Sequence, residues 1–369
     1  MTHRLPEQVV NLVEWMTGAP RALEALSLLR AVLGLVSVSI YMAQYRDRAL
    51  LFGPDGVYGT TGIRDSAASI GTWSLYGVSE DPWFFEILFH AGLFIAVLVM
   101  LGVGDRALLA VHWILIWSLY MADPGLMDGG DALAATATCF LLLTRCYSAF
   151  TVRRIRPQSN GALANVCNNT GLLLLATQVV IVYLMAGLYK VQGQLWQDGT
   201  ALYYILNVPE FFLPGITPLV VQSDWVLVIG AYTTVLASVF FPVLVLFRAG
   251  RPFAVAMMLT FHLAIAVLMG LTSFALVMAA YDLLFVNHHV VRLHRRLALV
   301  RRHLSGRRKE TFDEGTDEVT GALASEYSRG DGLASRAVRE RAVRGGPAGR
   351  VGEHHQGAGR HRRGDDAPA

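Results

Sequence analysis

TGLLLLATQVVIVYLMAGLYKVQGQLWQDGTALYY, Thr170 to Tyr204, begins as an apolar run and then changes character. Thr170–Tyr189 carries no charged residue. Coiled as a helix rising about 1.5 Å per residue, such a run matches a hydrocarbon core about 30 Å thick. Lys190 stands where the run stops, and Trp196, the Asp-Gly-Thr step from Asp198 to Thr200, and the pair Tyr203 and Tyr204 follow at once. The stretch reads as a spanning helix that ends at a membrane–water boundary. It sets the class of the chain: an all-α, polytopic membrane bundle.

The rest of the sequence supports that class. Hydrophobic residues make up 54% of the 369 and charged residues only 16%, where a soluble domain carries about 25% charge. Further apolar stretches are Ala22–Gln44, Trp83–Val103, Ala107–Met121, Asp131–Thr144, Trp225–Phe247, Pro252–Met269 and Ser273–Val286. With Thr170–Tyr189 they predict about eight transmembrane helices between residues 22 and 286. Basic residues orient them. Arg145, Arg153, Arg154 and Arg156 follow the fourth stretch, and Arg248 and Arg251 link the sixth to the seventh. Arg292, Arg295, Arg296, Arg301, Arg302, Arg307, Arg308 and Lys309 follow the eighth. An even number of crossings with both termini cytoplasmic puts all three clusters inside, as the positive-inside rule asks. The expected location is the cell membrane, as a multi-pass protein.

The flanks differ from the body. Residues 1–21 form a cytoplasmic segment in which Val9, Val10, Leu12, Val13 and Trp15 interleave with polar residues, a candidate interfacial helix. No cleavable signal peptide is visible there. Residues 287–309 are a basic juxtamembrane segment, and residues 310–369 are expected to be a disordered tail, too poor in apolar residues to offset their ordering entropy. The end of that tail is rich in arginine, yet its composition favours a plain extension, and no nucleic-acid partner is expected. Cys139, Cys146 and Cys167 fit neither a disulfide framework nor a CxxC pair and read as small apolar fillers, so no metal site is expected. Walker, GxGxxG, HExxH and GxSxG patterns are absent from the sequence.

The fourth stretch is short. Its helix would rise only about 21 Å, so the preceding ADPGLMDGGD, Ala122 to Asp131, must dip to membrane depth. Glycine-rich backbone survives there only where protein covers it or where it lines a wet cavity, which predicts an outward-facing pocket. Asp131 is the expected N-cap of the fourth helix. Asp128 and Asp131 otherwise need a partner, with Lys190 or a bound cation the natural one. Lys190 itself is either a snorkelling lysine or a partly desolvated base. Asp198 is expected to cap a short helix through Leu206, with Trp196, Tyr203 and Tyr204 either in an aromatic belt or roofing the pocket beside a lipid-like or peptide ligand. His262 and Asp282 sit mid-span, where adjacent helices would bring them into a hydrogen bond; a structural pair and a functional one are both open. His112 and Trp113 in the third stretch join that group of mid-span candidates.

Taken in order, the DGGD turn, the lysine closing AGLYK, WQDGTALYY and FHLAIAVLMGLTSFALVM resemble the HTTM family, multispanning proteins similar to the membrane part of vitamin K-dependent γ-glutamyl carboxylase. The resemblance runs from about Ala22 to Val286. HWILIWSLY, DGGDALAATATCFLLL and the Trp-x-x-Gly-Thr-Ala-x-Tyr-Tyr run look most like the sporulation-delaying protein B group. That likeness implies a membrane protein needed, with a separate partner protein, for maturation or export of a secreted antimicrobial peptide. The carboxylase likeness implies Lys190 as the base, working with a quinone such as vitamin K hydroquinone, and places the family's Phe-His pair on Phe261 and His262. Tyr120 stands where many members carry a histidine ahead of the GGD turn. The carboxylase's large extracytoplasmic domain has no counterpart after Val286, so the secreted peptide precursor would be recognised through the partner. The expected site is therefore Lys190 as catalytic residue, with Tyr120, Asp128, Asp131, Trp196, Asp198, Thr200, Tyr203, Tyr204 and His262 binding substrate. A peptide-maturation factor leads, a quinone-dependent carboxylase-like enzyme follows, and a channel or transporter with His262 and Asp282 on a proton path comes third.

Overall fold

The structure is a computed structural model that describes residues 6–152 and 161–299. The tail expected at 310–369, the basic residues from Arg301 onward, and Arg153, Arg154 and Arg156 lie outside the described residues. Among the described residues all regular structure is helical. In chain order come α1 (Glu7–Thr17), α2 (Leu23–Ala43), α3 (Arg48–Phe52), α4 (Gly59–Ser69), α5 (Pro82–Leu101), α6 (Arg106–Tyr120) and α7 (Gly129–Leu141). After them follow α8 (Ala162–Gln192), α9 (Gln194–Gln197), α10 (Ala201–Leu206), α11 (Thr217–Val221), α12 (Asp224–Leu246), α13 (Gly250–Met269) and α14 (Thr272–Asp282).

Among the described residues 6 helices are long and apolar enough to cross a membrane: α2, α5, α8, α12, α13 and the helical stretch Thr272–Leu299. Helices α6 and α7 fall where the third and fourth spans were expected, but they are shorter, at 15 and 13 residues. A count of eight therefore does not follow from helix length. On the outer surface Ile87, Phe94, Ile229, Leu236, Leu246 and Leu263 are each more than half exposed. So much apolar surface on helices of membrane length is lipid-facing surface. This is a multi-pass membrane protein.

Sequential helices pack as neighbours: α2 on α5, α5 on α6, α6 on α7, α7 on α8, α8 on α12, α12 on α13 and α13 on α14. Helix α14 also touches α2, α7 and α8, so it fills the middle of the bundle. Its Tyr281 is fully buried and donates to Gln178 Oε1 of α8 at 2.6 Å.

The two ends of the bundle are built differently. At one end Arg30 of α2 is fully buried. Its guanidinium donates to the carbonyls of Val99, Cys146 (3.0 Å) and Phe150 (2.7 Å), and it lies 4.9 Å from the Tyr147 ring centre. Those carbonyls belong to the last turn of α5 and to the turn after α7, where helical N–H groups run out; Val99 O also accepts from Gly102 N at 3.1 Å. Gly102, at φ +70°, closes α5 against this group; a Cβ there would stand 2.9 Å from Arg30 Nη2. Beside it, three asparagines in the first turns of α8 hold the chain on either side. Asn168 accepts from the Arg145 backbone N–H at 2.9 Å, Asn169 donates to Ala19 O at 2.9 Å, and Asn165 donates to Thr17 O at 2.8 Å. They pin the end of α1 to the bundle and leave Leu12 and Val13 of α1 exposed.

Because the Arg30 fork reaches carbonyls from separate segments, a lysine there reaches fewer of them. Arg30→Lys is expected to cost about 1–3 kcal/mol, read as a lower midpoint of denaturant unfolding in detergent. An unchanged midpoint would show that the fork is not what joins these segments.

Candidate functional site

The other end of the bundle carries the glycine turn. Past Tyr120 the chain makes a 3-10 turn, Pro124–Leu126, started by Asp123, whose Oδ1 accepts from Gly125 N at 3.1 Å. Helix α7 then begins with a reciprocal cap: Asp131 N donates to Asp128 Oδ1 at 2.9 Å and Asp128 N donates to Asp131 Oδ2 at 3.1 Å. The N-cap is thus Asp128, and Asp131, expected in that role, is the third helical residue. The two carboxylates satisfy each other's backbone rather than a lysine. Gly130 between them has a packing reason, since a Cβ there would meet Phe274 Cα of α14 at 2.8 Å.

Between the end of α2, α3, the end of α6 and the start of α7 lies a cleft of about 240 Å³. Ile40, Phe52, Leu119, Leu126 and Met127 supply its apolar wall, and Gln44, Tyr120, Asp123 and Asp131 its polar groups. Tyr120 is only 5% exposed, and neither its hydroxyl nor Gln44 Oε1 has a hydrogen-bond partner. Buried polar atoms left unpaired are costly, and this cleft is one of the places among the described residues where two of them lie together.

Lys190 stands at the same end of the bundle, because α7 and α8 are antiparallel and joined at their far ends by Arg145 and Asn168. On α8 the buried stripe runs Leu175, Val179, Tyr183, Gly187, and half-buried Lys190 continues it. Its Nζ lies 5.5 Å from the Trp196 ring centre, and it takes part in none of the ion pairs among the described residues. Asp198 does not cap the next helix as expected. It is exposed and ends α9, while α10 starts at Thr200 without a side-chain cap. The intervening Gly199 takes φ +72°, a left-handed turn that bars a helix from starting at Asp198. Tyr232 of α12 donates to Gln197 O at 2.6 Å, which holds α9 on α12. Tyr203 and Tyr204 are exposed, with ring centres 5.5 Å apart. Trp196, Asp198, Thr200, Tyr203, Tyr204 and Lys190 line no part of the Tyr120 cleft. The expected roof over a single shared pocket is instead a separate group on the α12 side, and Asp128 sits outside the cleft's lining.

A third polar group lies inside the bundle. His262 of α13 and Asp282 of α14 do approach, at 3.7 Å, but through an intermediary. Tyr183 Oη lies 2.7 Å from His262 Nε2 and donates to Asp282 Oδ1 at 2.8 Å. The three are 3%, 2% and 0% exposed, with Phe241 and Phe274 against them. Tyr183 escaped the sequence reading because an aromatic residue on an apolar stripe looks like core. Its place seven residues before Lys190, on the same helical face, was the available signal. His112 is buried with Nε2 3.3 Å from Ser37 Oγ, and Trp113 Nε1 donates to Ala135 O at 3.0 Å; both join α6 to its neighbours.

Residues 77–289 match the HTTM domain family. The chain belongs to the HTTM family. Among its relatives is YitO of Bacillus subtilis (strain 168), 26% identical over 234 residues, which cover 62% of this chain and 75% of YitO. Another is the sporulation-delaying protein SdpB of the same organism, 28% identical over 214 residues, 55% of this chain and 64% of SdpB. The chain thus spans less than two thirds of SdpB. No solved structure matches. The HTTM match holds Tyr120, Asp131, Tyr183, Lys190, His262 and Asp282, whereas Ile40, Gln44 and Phe52 of the cleft wall come from the chain before it.

Removing the bridging hydroxyl of this HTTM protein leaves a histidine and a carboxylate 3.7 Å apart with no hydrogen bond joining them. Tyr183→Phe is expected to lower stability by about 1–3 kcal/mol, measured by unfolding in detergent. A variant as stable as the parent would mean that the three groups do not hold α8, α13 and α14 together.

Proposed function

We propose that this HTTM protein is a membrane factor for the maturation or export of a secreted antimicrobial peptide, working with a separate partner protein. In this reading both termini are cytoplasmic and α1 lies along the inner leaflet. The observation that carries it is the cleft and its unpaired Tyr120 and Gln44, at the bundle end opposite the turns bearing Arg145, Arg248 and Arg251. By the positive-inside rule those turns face the cytoplasm, so the cleft opens outward, where a secreted peptide would meet it. The likeness to SdpB, whose name ties it to sporulation delay, supports the peptide assignment. Deleting the gene is expected to abolish the active mature peptide while transcription of its precursor continues. Mature peptide at parental levels in the deletion strain would end this reading.

A second reading rests on Lys190. Its amino group lies on the inward stripe of α8, beside Trp196 and held by no carboxylate, so in its neutral form it suits a proton acceptor more than a structural ion pair. If a quinone of the vitamin K hydroquinone class is used, Trp196 and Tyr203 are the aromatic residues near enough in sequence to hold its ring beside Lys190, and the quinone would supply the redox chemistry. Lys190→Ala and Lys190→Arg are then expected to lose more than about 100-fold in peptide-maturing activity at normal abundance in the membrane. Full activity in Lys190→Ala would dispose of it.

A further inference from the structure

We infer that the cleft between the end of α2, the end of α6 and the start of α7 binds a primary ammonium group on an apolar stem, as a lysine side chain of a peptide carries. Its polar lining is made of acceptors. Asp123 and Asp131 bring carboxylates, Gln44 brings an unpaired amide oxygen, and no basic side chain lines the cleft. The nearby cation, Arg48, is already held by Glu86 at 3.1 Å. Beyond the acidic residues stands an independent sign of a missing donor. Tyr120, 5% exposed, lines the cleft beside the Asp131 carboxylate, and its hydroxyl oxygen accepts no hydrogen bond.

The chemistry of the acceptors selects among cations. Each carboxylate already gives one oxygen to a backbone N–H, Asp123 to Gly125 and Asp131 to Asp128. With one oxygen of each so engaged, the two oxygens are unequal and suit a guanidinium fork less well than a free carboxylate would. An ammonium has three separate donors on a compact head, which suit separated oxygens at Asp131, Gln44 and Tyr120. A divalent ion is disfavoured, since no cluster of three or more metal-ligating side chains exists among the described residues. Ile40, Phe52 and Met127 offer an apolar flank for the stem. An ethanolamine lipid carries the same ammonium, but its phosphate would face the two carboxylates.

The site stands on its own geometry; only the assignment of the ammonium to a peptide rests on the proposed function. The test uses the full chain in phosphatidylcholine nanodiscs, titrated calorimetrically with n-pentylamine, with n-pentanol, and with matched short peptides holding one lysine or one arginine. Saturable, salt-sensitive binding of pentylamine and the lysine peptide is expected, with pentanol silent and the arginine peptide weaker. Asp131→Asn, which keeps an oxygen for the Asp128 N–H, should weaken pentylamine about tenfold or more. Tyr120→Phe and Gln44→Met, which leave the backbone bonds of the Asp128–Asp131 cap in place, should weaken it several-fold. Pentanol binding as well as pentylamine, or affinity unchanged in all three variants, would overturn the site. Competition by phosphatidylethanolamine with no binding of the lysine peptide would overturn the peptide source. A deletion strain with normal mature peptide would sink the proposed function alone, leaving these titrations to decide the site.

Discussion

In hydrocarbon a backbone carbonyl has no water to turn to, and every irregular turn of this chain that enters the bundle must find a donor from protein. Arg30 is the donor on which one end of the molecule depends. It takes carbonyls from the end of α5 and from the turn after α7, and no carboxylate balances its charge among its hydrogen-bond partners. The partial negative charge at the end of α5 does part of that work. Asn165, Asn168 and Asn169 meet the same need for the turns on either side, using side-chain amides that both donate and accept. With that end closed, the short α7 can stop well inside the length of its neighbours.

The opposite end inherits the consequence. Since α7 begins late, the chain between Tyr120 and Gly129 must descend beside α2 and α6, and the cleft is the space it leaves. Its backbone is satisfied locally, by the Asp123 turn and the Asp128–Asp131 cap, so its side-chain oxygens remain available at the opening. Lys190 and the Trp196 segment share this end but rest on α12, held by Tyr232 and by the close approach of Gly187 to Val239. Between the two surface groups and below them, Tyr183, His262 and Asp282 fasten α8, α13 and α14. The HTTM family region therefore holds polar centres that are distinct in space, although the sequence presents their residues as one motif series.

Much of this was legible in the residues. The run from Thr170 to Tyr189, the apolar stretches around it and the basic turns mark a helical membrane protein, because hydrocarbon thickness and backbone satisfaction leave few other solutions. The short fourth stretch drew attention to the glycine turn, and the cleft lies beside that turn. The approach of His262 and Asp282 was readable from their mid-span positions. Local caps were less legible: Asp128 rather than Asp131 starts α7, because a reciprocal cap serves both aspartates at once, and Gly199 displaces Asp198 from the cap of α10.

What the sequence by itself determined was the class of the molecule and the rough placing of its apolar helices, properties set by length, charge and the need to pair backbone groups within each segment. Which helices meet was decided only by tertiary packing. The placing of Lys190 against α12 instead of over Tyr120, the insertion of Tyr183 between His262 and Asp282, and the gathering of Gln44 with Tyr120 and Asp131 all join residues far apart in the chain. In a membrane every long helix is apolar on most faces, so hydrophobic periodicity no longer says which face turns inward. Small residues and a few buried hydrogen bonds make that choice, and their partners are known only once the helices are side by side.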